Sequence, residues 1–472
     1  MNPDDFRRIG HRLIDWIAEY REKVGELPVM SQARPGDLKR RLPASPPERG
    51  ERLDSLPGEL DALIVPGITH WGHPRFFAYF PSNADLSSVL GDLVAAGLGS
   101  NVFSWQTCPA GTELEEVAMD WLRQMVGLPD AFSGVIQDTA SSSTLVALLC
   151  ARERTTSFAQ VRGGLQAEEA PLVVYASDQA HSSVDKGALL AGFGRANVHV
   201  IPSDERFAMD TGALRAAIAG DLAAGRRPCA VVATVGTTAT TSVDPLRAIA
   251  DLAREHGLWL HVDAAMAGSA MILPELRGLW DGIEAADSLV LNPHKWLGPG
   301  FDLSAYFVRD PQHLVRVMST NPSYLQTPHD QEVKNFRDWG IPLGRRFRAL
   351  KLWLVIRDQG VEGLRARMRR DLANARWLAE QVDAAAPEWE RMAPVPLQTV
   401  CVRHRPKGLE GKALDRHNLE LANAVNATGR AYVTGAVVKG TQLIRMSVGS
   451  AATERADVEA LWELMRKTAR DG

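Results

Sequence analysis

The chain has 472 residues but only four cysteines, and no two of them form a CxxC pair. Scattered cysteines argue against a disulfide framework or a cysteine-based zinc site and favour reduced thiols in the cytoplasm. No apolar run approaches the roughly 18 residues of a membrane span, and the charged amino terminus lacks the apolar core of a signal peptide. We therefore expect a cytoplasmic protein that does not insert into a membrane.

Neither sign of charge dominates, since 53 basic residues face 57 acidic ones and leave a net charge of −4. This balance gives no electrostatic reason to expect nucleic acid or an anionic membrane as a partner. Aromatic residues are also sparse, at 7%. The length and an apolar content of 45% predict a large core divided over two or three units.

Short apolar runs alternate with helical patterns from about residue 86 to 350. Strands are predicted at 171–176, 230–235, 258–262, 288–291 and 305–308. This alternation predicts an α/β protein whose mainly parallel sheet carries helices on both faces. Between two of the strands, Asp244-Pro245 is expected to cap and open a helix that Gly257 ends.

The flanking segments differ from this central part. An amphipathic helix at 6–25 and a shorter one near 59–65 are too small to fold alone, so we expect them to pack against a partner. A smaller α+β domain is predicted from a helix at 361–385, strands near 396–403, 431–437 and 441–448, and helices near 411–427 and 453–468. The predicted division is 1–85, 86–350 and 351–472. The aperiodic segment 318–336 is expected to be a functional loop.

Polar residues follow several predicted strands. His181, Thr238, Asp263 and the stretch 292–295 each come just after a strand. Ligands of parallel sheets bind beyond the carboxyl ends of the strands, so one site is expected to collect these residues.

Lys295 follows Asp263 by 32 residues. A lysine amine can form a Schiff base with the aldehyde of pyridoxal phosphate, and a carboxylate can keep the pyridine nitrogen of that cofactor protonated. The alternative is a surface lysine and a strand-end aspartate that never meet. The pairing favours pyridoxal phosphate chemistry.

Small residues open the helix after the strand near 135, including Ala140 and Ser141. Free N–H groups and the helix dipole favour an anion there, although the hydroxyl residues also suit simple capping. The flat ring of His181 could stack on the cofactor and bind the substrate carboxylate. Thr238 could donate to the ring hydroxyl of the cofactor or to the substrate.

Aromatic residues concentrate early in the chain, at Trp71, Tyr79, Phe80, and Phe103 with Trp105. They suit either core packing or a flat slot for an aromatic substrate, where each ring pair adds about 1 kcal/mol.

Together these sequence motifs resemble those of the pyridoxal-phosphate-dependent aromatic L-amino-acid decarboxylases, of the group II decarboxylase family. The resemblance runs from about Phe6 to the C-terminus and is strongest at 70–81, 103–105, 134–149, 175–183, 257–270, 292–297 and 342–348. It implies a fold of the aspartate aminotransferase type, here called PLP-dependent transferase-like. That fold has a large domain with a mainly parallel sheet, a smaller C-terminal α+β domain and an N-terminal helical segment.

The resemblance also implies roles for individual residues. The catalytic residues would be Lys295, Asp263, His181 and Tyr324, with Tyr324 protonating the substrate carbon. The cofactor would contact Ala140, Ser141, His181, Thr238, Asp263, Ala265, Asn292, His294 and Lys295. The substrate would contact Trp71, Tyr79, Phe80, Pro81, Ser82, Phe103, His181 and Gly344. No metal is implied.

The resemblance further implies a homodimer in which Phe103 and the loop carrying Tyr324 reach the site from the second subunit. Four positions depart from the family pattern. Asp138 replaces a glycine, Met266 an aromatic residue, Asn101 an apolar residue and Ala451 an arginine. A carboxylate at Asp138 should be repelled by phosphate unless it points away or caps the helix. These changes leave the preferred aromatic substrate open.

The expected activity is decarboxylation of an aromatic L-amino acid to an arylalkylamine and carbon dioxide, through a cofactor aldimine and quinonoid. Three alternatives are considered. An aldehyde synthase typically has phenylalanine where Tyr324 stands. An aminotransferase needs an arginine for a second carboxylate, which the sequence does not identify. A non-enzymatic scaffold would be expected to lose Lys295 or Asp263, and the sequence keeps both.

Overall fold

The computed structural model describes residues 1–471. The chain divides into two units. The terminal unit comprises Met1–Pro81, Asn374–Met392 and the residues from Val400 onward, and the central unit comprises Ser82–Ala373 and Ala393–Thr399. The two ends of the chain thus share one unit, where the sequence analysis treated them as separate segments.

The strands are β1 Ser133–Gln137, β2 Leu172–Ser177, β3 Val198–Ile201, β4 Arg227–Thr234, β5 Trp259–Asp263, β6 Ser288–Leu291, β7 Ser304–Val308, β8 Trp389–Arg391, β9 Thr399–His404, β10 Thr434–Val438 and β11 Thr441–Ser447. The helices are α1 Pro3–Lys23, α2 Asp37–Arg41, α3 Leu56–Glu59, α4 Leu86–Leu98, α5 Pro109–Val126, α6 Ala140–Thr155, α7 Ser183–Leu190, α8 Thr211–Ala223, α9 Leu246–His256, α10 Pro293–Trp296, α11 Pro311–Met318, α12 Ala349–Ala384, α13 Gly411–Ala427 and α14 Arg455–Asp471.

The central unit is built on a seven-stranded sheet of order β1-β7-β6-β5-β4-β2-β3. The neighbours β6, β5, β4, β2 and β3 pair in parallel, whereas β7 runs antiparallel to both β6 and β1. The predicted α/β class and mainly parallel sheet are therefore confirmed. Strand β7, which the sequence analysis placed with the parallel strands, is the exception.

Every residue of β2, β5, β6 and β7 is buried. Burial on both faces explains why these strands appear in the sequence as continuous apolar runs. Helix α6 packs its apolar side, including Val146, Leu148 and Cys150, into the same core as residues of β2, β5 and β7. Strand β3 was not predicted from the sequence, and its Val200 is 62% exposed. A half-exposed edge strand has no such run.

The start of α9 differs from the prediction. The helix begins at Leu246 with Pro245 at its cap position, and no side chain caps it. Asp244 instead accepts hydrogen bonds from the backbone N–H groups of Met209 and Thr234, each at 2.7 Å. Its carboxylate therefore holds the end of β4. Gly257 ends the helix with φ +67°, as predicted.

The terminal unit contains a four-stranded sheet of order β10-β11-β9-β8 with helices α13 and α14. The chain near residue 76 joins this unit through a bridge between Phe76 and Tyr432. Phe77 N donates to Tyr432 O at 2.8 Å, and Val29 N donates to Gly429 O at 2.9 Å. Such long-range backbone pairing explains why the two ends of the chain form one unit.

Three helices differ in detail from their predictions. Helix α1 buries Ile9 but leaves Phe6 60% exposed, so its predicted packing against a partner stays a prediction. Helix α12 begins at Ala349 rather than near 361 and is interrupted at Gly360. Helix α14 begins at Arg455, after Thr453, whose hydroxyl donates to Pro74 O at 2.6 Å.

Candidate active site

A pocket opens at the carboxyl edge of the central sheet, where β1, β2, β4, β5 and β6 end. Its lining comprises Thr139, Ala140, Ser141, His181, Ser183, Thr234, Gly236, Thr238, Asp263, Ala265, Met266, Asn292, His294 and Lys295. All nine residues predicted to contact the cofactor are in this lining. The sheet brings them together because parallel strands end on the same side.

The lining also includes Thr139, Ser183, Thr234 and Gly236, which were not singled out in the sequence, and Met266, which was noted only as a departure from the family pattern. Gly236 has φ +85°, and a Cβ there would lie 2.5 Å from the Cβ of Ala267. Only glycine suits this backbone conformation and this close approach. Each of these residues lies at a strand or turn end beside a predicted residue, and that proximity was the signal that could have found them.

The first turn of α6 is open to an anion. Its cap residue, Thr139, makes no side-chain hydrogen bond to the helix, so simple hydroxyl capping is not what these residues do. The first N–H groups of a helix have no partner inside the helix, and the positive end of the helix dipole lies there. Asp138 accepts the N–H of Thr139 at 2.7 Å and is absent from the pocket lining given above. An aspartate rather than a glycine at position 138 is therefore compatible with an anion bound at the first turn of α6.

Asp263 is the last residue of β5 and is 5% exposed. Its Oδ1 accepts the N–H of Ala265 at 3.0 Å, and its backbone carbonyl accepts the N–H of Val235 at 2.9 Å. These bonds fix the direction of the carboxylate. A buried carboxylate in the pocket can pair with a protonated ring nitrogen.

His181 lies in the turn between β2 and α7. Its Nδ1 accepts the backbone N–H of Ser183 at 3.2 Å and contacts the hydroxyl of Ser183 at 2.8 Å. A backbone N–H can only donate, so the neutral ring carries its proton on Nε2. Partial burial lowers the pKa of His181. The carboxylate of Asp263 raises this pKa, whereas the positive charge of Lys295 lowers it further. The imidazole is therefore held neutral with Nε2–H available as a donor.

Two buried oxygens at the pocket have no hydrogen-bond partner among the described residues, Thr234 Oγ1 and Asn292 Oδ1. Orphaned buried polar atoms are rare in proteins, and a bound polar group commonly satisfies them. The two ends of an amide side chain are interchangeable in assignment, so Asn292 can also present its NH2 group to an anion. An open helix end, a lysine, a buried carboxylate and these atoms fit a phosphorylated pyridine aldehyde.

The structure does not bring every predicted residue to this pocket. Ser82 donates to the carbonyl of His294 at 3.3 Å. Gly344 lies in a second cavity between β1 and the 336–348 segment, and Phe103 accepts the N–H of Arg337 at 2.8 Å. Tyr324 is 79% exposed in a helical turn of the irregular 319–335 segment. The roles predicted for these residues stay predictions.

The aromatic residues of the terminal unit form a partly exposed cluster. Trp71 stacks on Tyr79 with ring centroids 5.7 Å apart and planes 17° apart. The two rings are 42% and 52% exposed, whereas Phe80 is buried. The alternative of simple core packing therefore fits Phe80 but not Trp71 or Tyr79.

The buried histidines predict an acid-sensitive fold. Burial lowers the pKa of His261 and of His294 to about 4, and Lys295 contributes at His294. Each folded pKa lies below the unfolded value of about 6.5, so this stability is complete above pH 6.5 and is lost as the pH falls towards 4. We expect roughly 3 kcal/mol to be lost per histidine by pH 4.

Urea unfolding of the cofactor-free chain at pH 7.5 and at pH 4.5 measures this effect. His261→Gln should reduce the difference between the two midpoints, since glutamine does not titrate. An equal difference in wild type and variant would contradict the assignment to His261.

No helix within residues 1–471 is long and apolar enough to cross a membrane. Across the same described part, no group of three or more His, Cys, Asp and Glu side chains is arranged to hold a metal ion.

Comparisons with known proteins agree with this geometry. Residues 35–405 match the pyridoxal-dependent decarboxylase conserved domain. The chain is 40% identical to phenylacetaldehyde synthase from Arabidopsis thaliana over 99% of its own length and 96% of that protein. It is also 40% identical to tryptophan decarboxylase 2 from Oryza sativa subsp. japonica, over 99% and 95% of the two chains.

A crystal structure of Oryza sativa TDC with PLP and tryptamine superposes with a TM-score of 0.96 at 39% identity. The match covers 100% of this chain and 99% of that one. The predicted fold of PLP-dependent enzymes is thereby confirmed, and the chain belongs to the pyridoxal-dependent decarboxylase family.

Proposed function

We propose that this chain decarboxylates an aromatic L-amino acid to the arylalkylamine and carbon dioxide. Tryptophan, phenylalanine, tyrosine and their hydroxylated relatives are the candidate substrates. The observation that carries the proposal is the pocket that collects Lys295, Asp263, His181 and the open end of α6 in a chain of this family. The tryptophan decarboxylase and phenylacetaldehyde synthase relatives support an aromatic substrate.

Pyridoxal phosphate supplies an electron sink for the bond that breaks at the substrate Cα. Lys295 would hold it covalently, and Asp263 would pair with its ring nitrogen. The N–H groups of Ala140 and Ser141 at the start of α6 would bind its phosphate, together with Asn292 and His294. Thr238 would lie beside the ring, and Ala265 would pack beneath it.

His181 would orient the substrate. Its Nδ1 is occupied by Ser183, so the Nε2–H can donate to the substrate carboxylate while the ring stacks on the cofactor. Loss of carbon dioxide is fastest when the Cα–carboxylate bond stands perpendicular to the conjugated plane, and a hydrogen bond from a fixed ring helps to hold it there. Trp71, Tyr79, Phe80, Pro81 and Ser82 would contact the substrate, consistent with the exposed, stacked rings of Trp71 and Tyr79.

The active form would be a homodimer. Helix α4 exposes an apolar stripe in this chain, formed by Leu86, Leu90, Leu93, Val94 and Leu98, each between 46% and 61% exposed. Exposed apolar stripes of this kind mark protein interfaces. The dimer would bring Phe103 and Tyr324 of the partner to the pocket. Cys108, Cys150, Cys229 and Cys401 form no disulfide within residues 1–471, which supports a reducing, cytoplasmic location.

An aldehyde synthase is the second candidate, since a phenylacetaldehyde synthase is among the relatives. Tyr324 argues for the decarboxylase, because its phenol can return a proton to the substrate carbon where a phenylalanine cannot. Incubation with L-tryptophan, L-phenylalanine, L-tyrosine, L-DOPA, 5-hydroxytryptophan and L-histidine decides between them. We expect amine and carbon dioxide in equal amounts from an aromatic member. Aldehyde and hydrogen peroxide from the wild-type chain would favour the synthase.

Tyr324→Phe tests the proton donor. The change removes one hydroxyl and little volume, so carbon dioxide should still be released. Without that proton, oxygen can oxidise the carbon, and we expect aldehyde, ammonia and hydrogen peroxide at the expense of amine. Ser323→Ala, which removes the hydroxyl of the neighbouring exposed residue, should leave the products unchanged. If Tyr324→Phe produces as much amine as wild type and no peroxide, then Tyr324 is not the proton donor and His181 becomes the candidate.

A further inference from the structure

Lys295 lies on α10, a helix of only four residues, Pro293–Trp296. The last carbonyls of any helix lack partners within the helix, and a single turn has almost no internal hydrogen bonds to keep its shape. The turn closes with Leu297 N donating to Pro293 O at 3.0 Å and Lys295 N to Asn292 O at 3.0 Å. Other groups must therefore fix the position of the lysine.

The next three carbonyls of α10 each accept a hydrogen bond from a side chain elsewhere in the central unit. The hydroxyl of Ser82 donates to the carbonyl of His294 at 3.3 Å. Asn83 Nδ2 donates to the carbonyl of Lys295 at 2.9 Å, and Arg367 Nη2 donates to the carbonyl of Trp296 at 3.2 Å. In α10, which we call the lysine turn, three consecutive backbone carbonyls thus accept hydrogen bonds from three different side chains.

The two donors on the Lys295 and Trp296 carbonyls are themselves held in place. Asn83 is 4% exposed. The guanidinium of Arg367 is 9% exposed and donates through Nη1 to Asp85 Oδ2 at 2.9 Å, so one planar group joins a carboxylate and a carbonyl. Asp85 in turn packs against Gly298, where φ is +120° and a Cβ would collide with the carboxylate. The positive charge of Arg367 also suits the negative end of the turn.

We propose that Asn83 and Arg367 are positioning residues that hold the backbone of the lysine turn, so that the amine of Lys295 meets the cofactor aldehyde in a reactive geometry. This inference rests on the proposed role of Lys295 and extends it to residues that do not line the pocket described above. Their contribution is orientation, and misplacement of about 1 Å can cost on the order of 10²-fold in such reactions.

The variants Asn83→Asp and Arg367→Lys test the proposal. Aspartate has the shape of asparagine but places an acceptor against the carbonyl of Lys295. Lysine keeps the charge of Arg367 but cannot serve Asp85 and the carbonyl of Trp296 with one planar group. The control for Asn83→Asp is Asn197→Asp, because Asn197 also donates to a backbone carbonyl, that of Phe193, at 2.8 Å. The control for Arg367→Lys is Arg369→Lys, because Arg369 lies on the same helix as Arg367 but forms an exposed ion pair with Glu275.

The experiment measures separately the cofactor that is covalently linked to Lys295 and the total cofactor that is bound. The amine and the aldehyde condense with loss of water, and borohydride reduces the resulting carbon–nitrogen double bond to a stable secondary amine on Lys295. Mass spectrometry counts that adduct, and equilibrium dialysis of unreduced protein counts all bound pyridoxal phosphate. The rate at which the visible absorbance of the linked cofactor appears after mixing gives a second measure.

We expect both test variants to bind total cofactor near the wild-type level, because the phosphate-binding turn at Ala140 is unchanged. The covalent fraction, or its rate of formation, should fall about tenfold or more. Both controls should keep the wild-type ratio and rate. A purely structural role would instead lower covalent and total cofactor together with the thermal midpoint. If Asn83→Asp does not fold, Asn83→Ser removes the donor with a smaller perturbation.

Wild-type ratios and rates in both test variants would overturn the inference. A wild-type chain that binds pyridoxal phosphate but yields no adduct on Lys295 would instead overturn the proposed role of that lysine. The two failures are therefore distinguishable in one experiment.

Discussion

Lys295→Ala is expected to reduce decarboxylation by several orders of magnitude while the chain remains folded. The lysine is the only group in the described pocket whose amine can link covalently to an aldehyde cofactor, and removal of a covalent step raises the barrier for the whole reaction. The first turn of α6, which is proposed to bind the phosphate, is untouched, so the cofactor should still bind without the covalent link.

Three measurements check this result. Turnover should fall, borohydride should fix no cofactor to the chain, and dialysis should still detect bound pyridoxal phosphate. Lys186→Ala, on the exposed side of α7, is the control for loss of a lysine and should retain activity. Decarboxylation at the wild-type rate by Lys295→Ala would remove Lys295 from the mechanism.

Asp263→Asn is expected to lower turnover by ~10²-fold or more, the scale seen when a charge-stabilising group is removed from an active site. Asparagine keeps the shape of the side chain and can still accept the N–H of Ala265. It cannot keep the ring nitrogen protonated, and the electron sink therefore weakens. The loss should appear mainly in kcat, because the substrate contacts do not change.

Asp178→Asn is the matched control, since Asp178 directly follows β2 of the same sheet but is exposed and is not in the pocket lining given above. Turnover of this control should stay near the wild-type value. A loss of less than threefold in Asp263→Asn would mean that the carboxylate does not face the cofactor.

Much of the fold was predictable from local sequence. The buried strands β2, β4, β5, β6 and β7 appear as short apolar runs because both faces of the sheet are covered. By contrast, β8 contains a single apolar residue, and His199 interrupts the apolar residues of β3, an edge strand with an exposed Val200. The antiparallel direction of β7 was not predictable either, because the direction of a strand depends on the path of the chain and not on its composition.

The chemistry of the pocket was predictable for a related reason. Asp263, His181 and Lys295 each follow a strand, and the carboxyl ends of parallel strands lie on one side. All nine residues predicted to contact the cofactor therefore lie in one pocket. Thr234, at the end of β4, and Ser183, at the start of α7, were missed, since threonine and serine are too common at the ends of such elements to single out.

Contacts distant in the chain were beyond local patterns. Nothing near Asp244 indicates that its carboxylate bonds Met209 and Thr234 rather than capping α9. Likewise, the terminal unit joins residues near 76 to residues near 432, so the three-segment division missed the pairing of the two ends.

The sequence by itself determined which residue types can perform the reaction and placed them at strand ends, because strand periodicity and helix-opening residues are local properties. Only the tertiary structure decided what holds Lys295 in place. The donors to the carbonyls of its turn, Ser82, Asn83 and Arg367, lie 212, 212 and 71 residues away from the carbonyls they bond. A one-turn helix cannot orient its own side chain, and that orientation arises only when distant segments fold together.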